Sequence, residues 1–499
     1  MLFPSLFPFL VSGALASVTS HVARDPLDSQ RTATELRPQL SPQTTIVFPS
    51  DLEWDPLTAR GSSPRIDPGY SVIVEPATEQ DVRTVVIYAH KYNVPFLVVS
   101  GSHGSTKTLN KMKGGIQINL RKLNNATVDP SGNTATIGGG ALMVEAAKAL
   151  FAKGKQAVTG ICECVSVIGP LLGGGHSLLQ NQYGFASDNL VSARVVLANG
   201  TLVDASNTKN TDLFWALRGA GHNFGVVTSF QVKAYDVHTW TVYQFQFKQD
   251  KLEQLYTLVN QVDNLATRPS KLFITGVFAR IDAIDAANAT LIYTVSFEGP
   301  KSEAEQYAAP FKALNPFGLT ETENVPMDEY YILSGNDINS GVCRKDHNLA
   351  FAGTSLPKWD LPTLREAYVA FNKVVRDPKF ATSAFLLENY GNKAVSQVDP
   401  ASTAVTAEER TLPILTTAAV WYEGNDPKTH LQATTAVNNI RDILFRGSKS
   451  PKHTYVNYAT GDEPLPQLYG QDQARLAKLK ALKKVYDPKN EFGFYSPLV

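Results

Sequence analysis

The chain has 499 residues, 43% hydrophobic and 18% charged, with 46 basic and 46 acidic side chains and no net charge at pH 7. This composition excludes a disordered chain, which lacks apolar residues and carries excess charge, and it excludes the basic field that drives general nucleic-acid or anionic-membrane binding. Three cysteines, Cys162, Cys164 and Cys343, are too few for a disulfide-framed scaffold.

The first residues, MLFPSLFPFLVSGALA, are apolar and end on Ala14-Leu15-Ala16, a small-x-small pattern that suits signal peptidase. The expectation is a signal peptide over 1–16 and a secreted protein. The stretch is too short to span a bilayer, and no later segment is long and apolar enough. Asn125, Asn199 and Asn288 each head an Asn-x-Thr sequon and are candidate glycosylation sites.

Residues 17–65 are rich in Ser, Thr and Pro and read as an irregular lead-in, with order beginning near Tyr70. Ser71-Val72-Ile73-Val74 predicts a strand. Thr78 with Asp81 three residues on predicts a capping box, and Val82, Val85, Val86 and Ala89 follow at helical spacing. Phe96–Val99 predicts a buried strand, so the opening is a strand–helix–strand unit of an α+β or α/β fold. Strands are expected at 116–120 and 134–140, a helix at 141–153, and a hairpin around Asn199-Gly200. A capped helix at 211–217 and a strand at 225–232 close a first domain, 66–238. From there aromatic-rich strands (240–247, 291–297) alternate with helices (252–265, 364–375) in a second domain, 239–450. The last segment, 451–499, carries a helix at 471–485 stopped by Asp487-Pro488.

Three glycine-punctuated segments stand out. In Ser100-Gly101-Ser102-His103-Gly104-Ser105 a strand runs into a loop whose backbone N–H groups can turn inward around one histidine. In Cys162-Glu163-Cys164-Val165-Ser166 the two cysteines are expected to point to opposite faces, and no second Cys/His pair is near, so zinc is not expected. The following Gly173-Gly174-Gly175-His176 costs conformational entropy. Either a flat ligand packs on that backbone or the chain makes a strained turn there. The third segment, residues 212–228, is on physics alone a helix–turn–strand joint.

Together and in this order, these segments resemble the PCMH-type FAD-binding domain of the vanillyl-alcohol-oxidase group. More narrowly they resemble the berberine-bridge-enzyme-like FAD-linked oxidoreductases of fungal secondary metabolism. The resemblance covers about 70–235 and resumes at 455–490. It implies an α+β fold: an FAD-binding domain of two α/β subdomains, a substrate domain with an antiparallel sheet covered by helices, and a C-terminal segment returning to the FAD domain.

It also implies FAD bonded covalently to His103, where Ser102 replaces the usual Gly and Gly104 the usual Ser. The family's second link falls on Cys162, although Glu163 replaces the common Pro and Ser166 the common Gly; a small buried apolar residue is the other reading of Cys162. Further FAD contacts are implied for Ser100, Gly101, Ser102, Gly104, Ser105, Val165, Gly173, Gly174, Gly175, Gly225, Val227 and Asn457. Val165 would also gate dioxygen.

Tyr455, in Tyr455-Val456-Asn457-Tyr458, would stabilise an oxyanion or deprotonate an alcohol. His176 stands where relatives often carry Tyr, and reads as an acid/base or as a structural histidine. Counting back from Trp421, where many relatives carry a Glu or Gln base, residues 415–419 offer no carboxylate, so the base is unassigned. The implied activity is an oxidase. It would take hydride from an alcohol or activated C–H of a small molecule, with dioxygen as acceptor and hydrogen peroxide as product. An oligosaccharide oxidase is the alternative, and a non-redox cyclase using FAD as scaffold the alternative of another class. The expected partners are small molecule and dioxygen, with no metal, nucleic acid or membrane, and the expected state is a monomer.

Overall fold

The computed structural model describes residues 29–61, 63–263, 268–345 and 347–499; the expected signal segment, 1–16, lies outside the described residues. No helix among them is long and apolar enough to cross a membrane. The fold is mixed α and β, built on three main sheets.

The first sheet has four strands in the order Thr45–Val47, Gly69–Glu75, Lys113–Asn119, Phe96–Val99, antiparallel at the first pairing and parallel at the other two. The Glu79–Tyr92 helix crosses over it. Thr78 accepts from Asp81 N at 3.1 Å while the Asp81 carboxylate accepts from Thr78 N at 2.9 Å, and Asn93 ends the helix at φ 55°. Val82, Val85, Val86 and Ala89 are fully buried against Val72, Val74, Ile116 and Ile118.

The lead-in is more ordered than its composition suggests. Ser29–Leu36 is a helix whose Leu36 is fully buried, and Thr45–Val47 pairs with the first predicted strand, Ile46 opposite Val74. A few apolar residues with a sheet edge to cover suffice to order a polar segment.

The second sheet is antiparallel, in the order Ala126–Val128, Thr134–Gly138, Val226–Lys233, Leu190–Val196, Leu202–Ser206. The third holds seven antiparallel strands: Gly318–Val325, Trp240–Phe247, Thr290–Glu298, Leu272–Ala279, Ala384–Asn389, Ile414–Tyr422, Asn348–Leu356. Side chains alternate across a strand, so each strand offers two faces. On one face Tyr243, Phe245, Ile274, Tyr293, Phe385, Leu387 and Val420 form a core with the helices Leu252–Val262, Lys301–Lys312, Leu361–Val375 and Pro427–Ser448. On the other face the short helix Met327–Leu333 packs at one edge, against Gln244 and Ser296, and the rest turns toward the first domain.

The C-terminal segment packs on the first domain. Leu476 and Leu479 of the Gln473–Tyr486 helix join the core of Phe214 and Trp215. Asp487, fully buried, accepts from Lys483 Nζ at 2.6 Å and from Glu491 N and Phe492 N at 2.8 Å, which turns the chain so that Phe492 meets Phe96 edge-on.

Tyr455-Val456-Asn457-Tyr458 is not a strand. Residues Val456–Tyr458 form one 3-10 turn, closed by Tyr458 N to Tyr455 O at 2.8 Å. Of the sequon residues, Asn125 and Asn199 are exposed, whereas the Asn288 side chain bonds Asp285, Asn372 and Arg376, where a glycan would break that network.

Two expectations follow. Ser102 holds φ 58°, a left-handed conformation that costs a non-glycine residue about 1–2 kcal/mol. Ser102→Gly should therefore gain up to about 1 kcal/mol after the entropy that glycine adds to the unfolded chain, seen as a higher denaturation midpoint. Cys164 and Cys343 form a disulfide across 179 residues. Cys343→Ser should lower stability by about 2–4 kcal/mol, read as a fall in thermal midpoint.

Candidate active site

A cavity of about 840 Å³ runs between the first two sheets and this second face of the seven-stranded one. It lies near the upper end of the roughly 300–1,000 Å³ typical of small-molecule sites. At one end it is walled by Phe96–Val99, Val226, Phe492 and Phe494, and its middle by the 100–105 loop, Cys162, Val165, Gly225, Val227 and Asn457. At the far end the sheet contributes alternate residues: Val242 and Gln244, Phe273 and Thr275, Ile292 and Thr294, Leu349 and Phe351, Leu386 and Glu388, Thr417, Ala419 and Trp421.

The 100–105 loop lies close on its neighbour. A Cβ at Gly101 would come within 2.7 Å of Ser166 N, so only glycine lets this backbone back onto the Cys164–Ser166 turn. His103 Nε2 is 3.1 Å from Cys164 Sγ, and Nδ1 has no protein partner among the described residues. Burial, with Lys345, Arg60 and His347 nearby, pushes the His103 pKa down to about 4, so the imidazole is neutral and keeps a nucleophilic lone pair at neutral pH.

The expectation that Cys162 and Cys164 point to opposite faces fails: residues two apart share a face of a strand, and this segment is a turn that brings the sulfurs together. Their sulfurs lie 3.5 Å apart, and Cys162 Sγ is 3.9 Å from Cys343 Sγ. Two of the three sulfurs are joined as the disulfide, and Cys162 is the free thiol. Burial raises the Cys162 pKa to about 11. Glu163, where the resemblance leads to the expectation of Pro, makes two bonds that proline could not. Its N–H donates to Asn336 O at 2.9 Å, and its carboxylate accepts from Ile338 N at 2.7 Å. With the disulfide these bonds strap the cavity rim, Ser334–Asn336 and Val342, to the Cys162–Ser166 turn.

Three expected ligand contacts are displaced. Gly173, Gly174 and Gly175 do not line the cavity: Gly174 and Gly175 have φ 117° and 85°, and Gly173 packs against the Asn457 amide. The triple glycine is thus the strained turn and not a platform for a ring. Tyr455 is also turned away. Its hydroxyl accepts from Gly175 N at 3.0 Å and Asn457 Nδ2 at 2.6 Å, supporting that turn. Of Tyr455 and Tyr458, it is Tyr458 that faces the cavity.

His176 lines the cavity with its ring, but both nitrogens are engaged: Nδ1 with Gln180 Oε1 at 2.8 Å and Nε2 with Glu409 Oε1 at 2.6 Å. It offers no free lone pair to act as a base. Burial opposes ionisation of Glu409, yet His453 and His176 outweigh it and hold its pKa down to about 2. The stability this pairing adds is complete above the ordinary carboxylate pKa and is lost as the pH falls through about 2.

The carboxylate that counting from Trp421 does not find comes from the neighbouring strand. Glu388, paired in register with Leu415, points into the cavity and is 7% exposed. Tyr390 donates to its Oε1 at 2.8 Å and Tyr458 lies 3.4 Å from Oε2. Burial raises its pKa, opposed by the Tyr390 bond, the His176 charge and Tyr458. The signal was the one acidic residue in the apolar strand Ala384–Asn389, at a position of the same parity as Leu386.

The neutral His103, the close-packed glycine loop and one cavity lined by both His103 and Glu388 fit a bound dinucleotide. The comparisons agree. The FAD binding domain family matches residues 70–206, and the berberine and berberine-like family residues 454–497. The FAD-linked oxidoreductase anuG of Penicillium roqueforti is 36% identical over 93% of this chain and 91% of that protein. The FAD-linked oxidoreductase OXR2 of Pyricularia oryzae is 34% identical over 96% and 93%. Among solved structures, the xylooligosaccharide oxidase of Myceliophthora thermophila shares the fold at a TM-score of 0.80 and 22% identity, covering 95% of this chain and 99% of that one. The 6-hydroxy-D-nicotine oxidase of Arthrobacter nicotinovorans does so at 0.74 and 22%, covering 92% and 98%. This chain belongs to the berberine-bridge-enzyme-like FAD-linked oxidoreductases.

Proposed function

We propose that the protein is a flavin-linked oxidase of a small, largely apolar organic alcohol or activated C–H compound, with Glu388 as the base. FAD held in the cavity would supply the two-electron acceptor for hydride from substrate carbon, and dioxygen would be the final acceptor, leaving with two electrons and two protons as hydrogen peroxide. The remaining work falls to the chain. Glu388, ionised, accepts the substrate hydroxyl proton; Tyr390 holds one carboxylate oxygen and Tyr458 stands beside the other. Val242, Ile292, Leu349, Phe351 and Ala419 exclude water around them. We assign the flavin tether to His103 and Cys162 and the dioxygen gate to Val165, all three of which line the cavity.

The observation that carries the reading is Glu388: a buried carboxylate with a raised pKa, in a cavity lined by apolar sheet residues. It removes the missing base that favoured a scaffold-only cyclase. The same apolar face argues against an oligosaccharide, whose many hydroxyls need many polar partners; among the sheet positions named above, only Gln244, Thr275, Thr294, Glu388 and Thr417 are polar apart from the Trp421 ring N–H. A secreted role in secondary-metabolite biosynthesis is part of the reading. The Cys164–Cys343 disulfide supports an oxidising compartment.

His103→Ala and Cys162→Ser should each keep the flavin in the acid precipitate through the remaining link, and the double variant should release it. Colour lost equally from both wild type and double variant would remove the tether. Glu388→Gln should cut turnover by about 10²–10⁴-fold. Since the base must be ionised, kcat/KM should fall as the pH drops through a pKa above the usual carboxylate value of about 4.3, and this acid limb should vanish in Glu388→Gln. An unchanged profile would assign the base elsewhere.

A further inference from the structure

Behind the cavity wall lies a charged cluster that the proposed reaction does not use. Glu409 Oε1 bonds His176 Nε2 at 2.6 Å, and its Oε2 lies 2.5 Å from His453 Nε2. All three residues are at most 8% exposed. The helix Ala407–Thr411 presents Glu409, and its cap holds the backbone there, Glu409 N donating to Thr406 Oγ1 at 3.0 Å.

The surrounding partners assign the protons. Gln180 Nε2 donates to Gly391 O at 3.0 Å, so its Oε1 is the atom facing His176, and that oxygen also accepts from Ser177 N. His176 Nδ1 must therefore donate. His176 Nε2 faces a carboxylate and shares a second proton with it. His453 differs. Its Nδ1 is buried without a partner, and its Nε2 donates to the second carboxylate oxygen. Of the two rings, His176 is the one with both nitrogens donating to bonded acceptors, a cation beside the Glu409 anion.

The cation is the member that reaches the cavity. The His176 ring lies 4.7 Å from the Tyr390 ring at 30°, and 4.7 Å edge-on from Tyr455. Tyr390 is the residue that donates to Glu388. The groups facing Glu388 are Tyr390, Tyr458 and the His176 charge; those facing His176 are Glu409, Gln180, Tyr390 and Tyr455. Glu409 does not line the cavity.

We propose that Glu409 is a positioning residue: it holds His176 as a buried imidazolium against Tyr390, and that charge keeps Glu388 ionised and ready to accept a proton. The inference rests on Glu388 being the base. It explains why the His176 ring faces the cavity while both of its nitrogens are turned to protein partners. It also explains how a carboxylate in so apolar a chamber remains usable near neutral pH. Without the cation, burial would push the Glu388 pKa further up, opposed by the Tyr390 and Tyr458 bonds alone.

The test is a pH titration of the holoenzyme without substrate, read by the infrared carboxylic C=O band and assigned by comparison with Glu388→Gln. The wild type should show a band that disappears as pH rises and is absent from Glu388→Gln. Glu409→Gln should move its midpoint up by about one pH unit or more, a roughly tenfold loss of ionised base at a given pH. His176→Phe keeps an aromatic ring against Phe185, Tyr390 and Tyr455, and should shift the midpoint the same way even where Glu409→Gln does not fold. A midpoint unmoved in a folded, yellow variant of either kind would overturn the positioning role while leaving Glu388 as base. A band that persists in Glu388→Gln would overturn the base itself, and this inference with it.

Discussion

The molecule depends on one asymmetry: a seven-stranded sheet with four helices packed on one face and the short helix Met327–Leu333 at one edge of the other. Alternation along each strand sends Phe245, Tyr293, Leu387 and Val420 into the helix-covered core and Gln244, Thr294, Glu388 and Trp421 the other way. That second face is too large and too apolar to stand in water, and the first domain cannot fill it. What is left between them is the cavity. Its rim is held by the Cys164–Cys343 disulfide and the two bonds of Glu163. The C-terminal segment closes the other end through Asp487, whose buried carboxylate turns the chain to bring Phe492 and Tyr495 to the dinucleotide side.

The chemistry follows from giving two buried carboxylates different company. Glu388 has two tyrosine hydroxyls and no direct cation, so burial dominates and its pKa rises. Glu409 has two histidines, and their attraction outweighs burial. Environments that drive two like groups apart in this way commonly separate a working group from a supporting one. His103 is a third case: burial among cations favours the neutral ring, the form with a free lone pair.

Much of this was legible in the residues. The capping box at Thr78, the strand Phe96–Val99 and the loop around His103 are local signals, and the structure places them together as local chemistry dictates. What escaped was set by distant contacts. The strand at Thr45–Val47 exists because a sheet edge receives it. Tyr455 and Tyr458 are three residues apart, and only the 3-10 turn decides which one faces the cavity. Glu388 was missed because the search followed one strand, while the carboxylate sits on its neighbour, across from Leu415. The Gly173–Gly175 run was open between ligand platform and strained turn, and the approach of Asn457 decides for the turn.

The central claim is that the cavity-facing side of the sheet, with Glu388 at its polar point, is a seat for an apolar hydroxylated molecule. The most direct measurement is anaerobic mixing of the holoenzyme with a panel of small aromatic and aliphatic alcohols and of oligosaccharides, following the flavin absorbance. The account predicts bleaching by members of the first group and none by the sugars. Bleaching by oligosaccharides alone, or product formed from an alcohol with the flavin spectrum unchanged, would contradict it.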